Sequence, residues 1–231
     1  MSNDAAKLSH IQAEIRVAAT AAGRDPAHVR LLAVSKTQPA EAIRALYAAG
    51  QRDFGENYAQ ELAAKAEALA DLPGLRFHFI GALQSNKLAL IVRTAAAVQS
   101  VGSERHARLL ARHVRELGKA PYPVHVLVNA GDEASKSGVP LGEAEALARL
   151  IAAELPELRL LGVMAIPPPL AESGPGAPVP ELYRKLRELA DRVGEHDLSL
   201  GMSADLAVAV AAGSDCVRIG TALFGARPQR G

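Results

Sequence analysis

Residues 29–50 read Val-Arg-Leu-Leu-Ala-Val-Ser-Lys-Thr-Gln-Pro-Ala-Glu-Ala-Ile-Arg-Ala-Leu-Tyr-Ala-Ala-Gly. The first six residues, Val29 to Val34, form an apolar run of strand length. After Pro39 the pattern changes: Ile43, Leu46 and Tyr47 recur at helical spacing, and Gly50 closes the stretch. This switch of period describes a strand, a turn and a helix. The same unit recurs along the chain. Further strand candidates are 52–55, 76–80, 97–101, 124–129, 160–166, 198–202 and 216–219. Helical patterns fall between them at Leu110, Val114 and Leu117, at Leu147, Leu150, Ile151 and Leu155, and at Leu182, Leu186, Leu189 and Val193.

Alternating β and α elements imply a parallel sheet with right-handed crossovers. Eight such units in 231 residues favour closure into a (β/α)8 TIM barrel over an open doubly wound sheet. Ahead of the repeat, Leu8, Ile11, Ile15 and Ala18 mark one face of a helix that Gly23 and Pro26 terminate. It is expected to pack outside the barrel, within one domain spanning 1–231.

Composition narrows the function. Net charge is +1, with no strongly basic stretch, which argues against a nucleic-acid partner. Cys216 is the single cysteine, so neither a disulfide framework nor a multi-cysteine metal site is available, and a reducing cytoplasm suits the chain. The polar start, Met1 to Lys7, has no apolar signal region, and no apolar run reaches membrane-span length. A P-loop, a dinucleotide fingerprint and zinc-ligand spacing are all missing.

In a barrel the site lies on the loops after the strands. Lys36 follows strand one, Glu56 and Asn57 strand two, and Gln84, Ser85 and Asn86 strand three; Asn129 ends strand five, Met202 and Ser203 strand seven, and Arg218, Gly220 and Thr221 strand eight. If Lys36 points into the mouth, alternation places Val34 and Leu32 beneath it, and an amine desolvated there becomes a competent nucleophile toward an aldehyde. From that segment alone an ordinary solvated lysine at a strand end is the better reading. Ser203 can cap a helix over 204–208 whose N–H groups face the mouth, while Gly220 permits close backbone approach and Thr221 adds a hydroxyl. Phosphate sites of barrels are frequently built from the loops after strands seven and eight. Arg218, two residues after Cys216, should point inward and needs an acceptor, either a core carboxylate or a ligand atom. An amine, a phosphate cradle and a facing arginine together suggest pyridoxal 5′-phosphate.

Other features read as plainer structure. His78 and Cys216 suit core positions, and His106 and His113 share an arginine-rich, solvated helix face. The Pro/Gly-rich loop 167–180 reads as a surface excursion rather than a lid, and the segment 131–138 as a loop after strand five whose role is open.

The segments Val34-Ser35-Lys36-Thr37, Phe54-Gly55-Glu56-Asn57-Tyr58, His78 to Lys87, Leu200 to Asp205 and Val217 to Ala222 together resemble the pyridoxal phosphate homeostasis protein family. Taken in this order across nearly the whole chain they are highly specific. The resemblance implies a fold like the N-terminal barrel of alanine racemase. It implies that Lys36 forms a Schiff base with pyridoxal phosphate, that Ser203, Gly220 and Thr221 hold the phosphate, that Arg218 faces the pyridine nitrogen, and that Asn57 and Met202 line the pocket. The proline-rich stretch after Ile166 departs from the family pattern.

Three functions remain open from the sequence. An arginine beside the ring nitrogen keeps the ring a weak electron sink, and Gly231 follows the last strand too closely for a second domain carrying an opposing base. Both favour a non-catalytic carrier that stores pyridoxal phosphate and delivers it to apo-enzymes that depend on it; a monomer is expected. The alternative is an amino-acid racemase. A Schiff-base aldolase or phosphate-binding isomerase without the cofactor is a third reading.

Overall fold

The computed structural model describes residues 3–131, 137–170, 173–174 and 176–225. Eight strands form the barrel: β1 (Arg30–Val34), β2 (Asp53–Glu56), β3 (Arg76–Phe79), β4 (Ala97–Val101), β5 (Tyr122–Asn129), β6 (Leu158–Ala165), β7 (Asp197–Ser199) and β8 (Cys216–Ile219). Every pairing is parallel, and β4 hydrogen-bonds to β5 as well as to β3, so the sheet closes. The expected (β/α)8 barrel is therefore present. A two-residue strand, Val139–Pro140, adds to the edge of β5 beyond the eight.

The helices are α1 (Asn3–Ala21), α2 (Ala40–Ala48), α3 (Ala59–Ala68), α4 (Leu88–Thr94), α5 (Glu104–Glu116), α6 (Leu141–Glu154), α7 (Glu181–Ala190), α8 (Leu206–Ala211) and α9 (Thr221–Phe224). As the spacing predicted, α1 lies outside the repeat and packs on α8 and α9. Leu8, Ile11 and Ile15 are buried in that contact, each contributing about 2 kcal/mol by transfer from water. None of these helices is long and apolar enough to cross a membrane.

Two separate interiors follow from the strand alternation. Outward residues such as Ala33, Phe54, Phe77, Phe79, Val124, Val126, Leu198, Val217 and Ile219 join the helices in one apolar core. The inward set is different in kind. Alongside Leu32, Leu127 and Met164 it carries His78, Gln99, His125, Ser199 and Arg218, where barrels usually stack branched aliphatics. Cys216 is a buried free thiol, and His78 is tied to Asp53 and Gln99, so both are core residues as expected.

Several sequence expectations shift. The strand expected at 52–55 ends one residue later, on Glu56, and the one expected at 198–202 ends at Ser199. His106 and His113 are half-buried on α5, so their face is only partly solvated, and burial pulls the His106 imidazole down. Most of the loop over 131–138, and residues 171, 172 and 175 of the Pro/Gly-rich loop, lie outside the described residues.

Candidate functional site at the carboxyl ends of the strands

The proposed site residues leave four strands that are neighbours in the barrel, in the order β2, β1, β8, β7. Asn57 follows β2, Lys36 follows β1, Gly220 and Thr221 follow β8, and Met202 and Ser203 follow β7. One half of the mouth therefore collects them all. The register pairs Leu32 with Arg218 and Ala33 with Ile219, so the ends of β1 and β8 lie level. A Cβ on Gly220 would stand 3.3 Å from the Val34 carbonyl oxygen, so a side chain there would crowd β1. At the next junction a Cβ on Gly81 would sit 2.0 Å from the Asn57 oxygen, which requires glycine where the loops after β2 and β3 meet.

The turn that carries Lys36 is gripped from below. Lys36 itself is half-buried. On its N-terminal side the Ser35 N–H donates to the Gly55 carbonyl (3.0 Å) and the Ser35 hydroxyl to Glu56 Oε1 (2.6 Å). On its C-terminal side the Thr37 N–H donates to Glu61 Oε1 (2.5 Å). Lys65, on α3, joins these partners: its Nζ donates to the Ser35 carbonyl (2.7 Å), to Glu56 Oε1 (2.7 Å) and to Glu61 Oε1 (2.6 Å). Glu56 is fully buried and Lys65 nearly so. Burial pushes the Glu56 carboxyl up, while Lys65 and the Ser35 hydroxyl pull against it. Thr37 adopts a φ of 64°, a left-handed conformation that a β-branched residue takes only when its surroundings impose it. The i,i+4 pairing of Lys65 with Glu61 lies within α3, but the Ser35 carbonyl and Glu56, which bury it, lie on other elements that the local pattern of 59–68 does not reach.

Arg218 points into the barrel, as alternation predicted, and is buried. One guanidinium nitrogen donates to Ser199 Oγ (2.9 Å) and the other to the Ala165 carbonyl (2.7 Å). Neither partner is an anion, and among the described residues no carboxylate forms an ion pair with it. Burial pulls its pKa down, yet a guanidinium stays charged in a protein.

The β7 loop corrects one expectation. The helix after it starts at Leu206 with Asp205 at its N-cap, so Ser203 is not the cap; it sits in the preceding turn and is exposed. Asp205 organises that turn by accepting the Met202 N–H (2.6 Å) through Oδ1 and the Tyr183 hydroxyl (2.6 Å) through Oδ2. Met202 is partly exposed, and Thr221 is exposed as the first residue of α9, where helical N–H groups lack intrahelical acceptors. Ser203 and Thr221 therefore present hydroxyls on adjacent loops.

Beside Asn57 a cavity of about 240 Å³ opens, lined by Asn57, Asn129, Ser137, Ile80, Leu127, Met164 and smaller residues. None of its lining groups titrates. Asn57 Oδ1 is buried without a hydrogen-bond partner, and so are Thr37 Oγ1 and Glu56 Oε2 nearby in sequence. Unsatisfied atoms of this kind cost stability unless a ligand or water meets them.

Comparison with known proteins decides the lineage. Residues 6–228 match the family described as alanine racemase, N-terminal domain. The pyridoxal phosphate homeostasis protein of Pseudomonas aeruginosa is 50% identical over 98% of this chain and 97% of its own length; that of Escherichia coli K12 is 45% identical over 98% of each. This chain belongs to the pyridoxal phosphate homeostasis protein family. Members of the family have been solved: PipY of Synechococcus elongatus without PLP superposes with a TM-score of 0.82 at 35% identity, covering 96% of this chain and 99% of PipY. The form of PipY with PLP bound superposes at 0.79 and 34% identity, covering 96% and 100%.

Proposed function

We propose that this protein binds pyridoxal 5′-phosphate as a Schiff base on Lys36 and serves its intracellular homeostasis, storing and delivering the cofactor without turning over a substrate. Supporting this reading is the half of the mouth in which an amine, two hydroxyl-bearing loops and a buried guanidinium converge, the guanidinium forming no ion pair among the described residues. The residues fit the group. The Ser203 and Thr221 loops, with Gly220 between β8 and α9, suit a phosphate; Arg218 suits a pyridine nitrogen; Asn57 carries an unused acceptor, and Met202 an apolar edge. PipY, solved with PLP bound, is a relative of high coverage.

When bound, the cofactor supplies an aldehyde for the lysine and a ring that can accept electrons. The residues around it work against catalysis. Arg218, already cationic, disfavours a proton on the ring nitrogen and so weakens the ring as an acceptor. Among the described residues that line the neighbouring cavity, none titrates as a second base would. A carrier needs neither. We further propose that it works in the cytoplasm as a monomer, with apo-enzymes that require pyridoxal phosphate as recipients.

The test is the visible absorbance of the purified protein before and after borohydride, with peptide mapping. A yellow protein whose reduced pyridoxyl group maps to Lys36, and which Lys36→Ala abolishes, is expected. A colourless protein that takes up no added pyridoxal phosphate would sink the proposal. Incubation with amino acids in deuterium oxide should leave their α-protons unexchanged; exchange would establish a racemase-like enzyme instead.

A further inference from the structure

We propose that Ser199 and Gln99 are positioning residues for Arg218, forming the near end of a directed hydrogen-bond chain that crosses the barrel lumen and ends on the Asp53 carboxylate. This inference rests on the reading that Arg218 faces the cofactor ring. The chain is continuous. Arg218 donates to Ser199 Oγ (2.9 Å), and Ser199 donates to Gln99 Oε1 (2.7 Å). Gln99 Nε2 lies 3.3 Å from His78 Nδ1, and His78 Nε2 lies 3.0 Å from Asp53 Oδ1. Asp53 is held in turn by both ends of the Arg76 fork, at 2.7 Å each.

The direction of every bond is dictated by the two ends. A guanidinium only donates, so the Ser199 oxygen accepts and its single hydrogen must go onward to Gln99 Oε1. That fixes the Gln99 amide with Nε2 toward His78, whose Nδ1 must then accept. The imidazole hydrogen therefore sits on Nε2 and donates to the carboxylate. Turning the amide over breaks the pattern twice. The Ser199 hydrogen would lose its acceptor, and a neutral His78 would turn an unprotonated nitrogen toward Asp53.

Position argues the same way. Ser199 and Arg218 lie on β7 and β8, while Gln99 and His78 lie on β4 and β3, across the lumen. Gln99 is 2% exposed and Ser199 0%, so neither exchanges partners with solvent. A long arginine stem loses its aim unless its fork is fixed, and here Ser199 and the Ala165 carbonyl fix it in a plane. A network that only satisfied buried polar atoms would have no reason to end on a buried cation that points into the lumen.

The experiment is a double-mutant cycle on the full chain. Affinity for pyridoxal phosphate and the position of the visible band are read in Ser199→Ala, Gln99→Leu, Arg218→Gln and the Arg218→Gln/Ser199→Ala double variant. Thermal melting of the apo forms identifies any variant that fails to fold, and Ser199→Thr, which keeps the hydroxyl, is the rescue. We expect Ser199→Ala and Gln99→Leu each to weaken binding about tenfold and to shift the band, with Ser199→Thr near wild type. Ser199→Ala should add nothing once Arg218 is glutamine. An equal loss in both backgrounds overturns the proposal, since the hydroxyl would then act independently of Arg218. So does wild-type binding by Ser199→Ala alongside weak binding by Arg218→Gln. If Arg218→Gln itself keeps wild-type affinity and spectrum, the placement of Arg218 at the ring is what fails, and the positioning role falls with it.

Discussion

The two ends of this barrel are held by the same residue types put to opposite uses. At the amino ends of the strands the charges are matched by opposite charges and range from half exposed to largely buried. Arg30 grips Asp197 with two bonds, Arg76 grips Asp53, Arg159 grips Glu195, and Arg24 and Arg187 share Asp215. At the carboxyl ends the charges are buried and partly unmatched. Lys65, Glu56 and Glu61 form a triad under the Lys36 turn, Arg218 forms no ion pair among the described residues, and Thr37, Glu56 and Asn57 each leave an atom unsatisfied. Matching is not perfect at the amino end either, where Arg187 Nε and Glu157 Oε2 lack partners, but both residues are ion-paired through other atoms. The difference teaches that the amino face is arranged for stability, and that the carboxyl face gives up stability for groups held ready for a ligand.

The sharpest break in that contrast is Lys65→Met. It removes a cation that touches a fully buried glutamate, and deleting one partner of a buried pair costs about 3–5 kcal/mol. Urea denaturation should show a loss of that size, together with slower or absent pyridoxyl labelling of Lys36. Adding Glu56→Gln should return part of the stability, because the stranded charge is gone. If Lys65→Met unfolds at the wild-type midpoint, the triad is not what holds the Lys36 turn.

Asp197→Asn probes the opposite end. Arg30 and His125 both bond this carboxylate, and their hydrogen bonds and charges outweigh the effect of its burial, holding its pKa at about 2. Because the folded value lies below the unfolded one, the carboxylate stabilises the fold above pH ~4 and that contribution is lost as pH falls toward 2. The substitution should therefore cost about 2 kcal/mol at neutral pH and flatten the acid limb of the stability profile, while leaving pyridoxal phosphate uptake unchanged. A large loss of uptake would mean that the two ends are not separable.

How far this contrast could be foreseen depends on its range along the chain. The inward aim of Arg218 was legible because strand alternation from Cys216 is local. The strands over 97–101 and 216–219 fall where the apolar runs put them. Boundaries slipped where a distant partner decided them. Glu56 extends β2 because Lys65 buries its carboxylate, and β7 stops early before Gly201, whose φ of 96° leaves the extended region. Ser203 lost the cap to Asp205, which also reaches Tyr183, 22 residues away. Gln99 and Ser199 meet across 100 residues, and no spacing rule spans that distance.

Thr37→Gly tests whether the mouth gives up stability for its ligand. Glycine relieves the left-handed strain and removes a buried, unpartnered hydroxyl, while raising the entropy of the unfolded chain. The balance should leave the apo protein about 1 kcal/mol more stable by thermal melting. Binding of pyridoxal phosphate should weaken, because the turn beside Lys36 is freer. A variant both less stable and equally good at binding would remove Thr37 from the contrast.

The smallest effect is expected from Arg159→Ala. Its guanidinium meets Glu195 in two short bonds, at 2.5 and 2.7 Å, and holds that carboxyl below its usual range. The geometry is as good as that of the Arg76–Asp53 pair, so geometry alone would rank the two equally. Solvent separates them. Arg159 and Glu195 are each about half exposed, at 52% and 49%, whereas the Asp53 side chain is 24% exposed and also accepts from His78. Water and salt screen the first pair, and ordering two long side chains cancels what attraction is left. Arg159→Ala should therefore leave the melting midpoint and pyridoxal phosphate affinity unchanged, and raising the salt concentration should not separate it from wild type. Arg76→Ala, by contrast, strips an acceptor that anchors the chain leading to Arg218. If the two substitutions behave alike, the amino face is uniform, and the interior chain has no anchor in it.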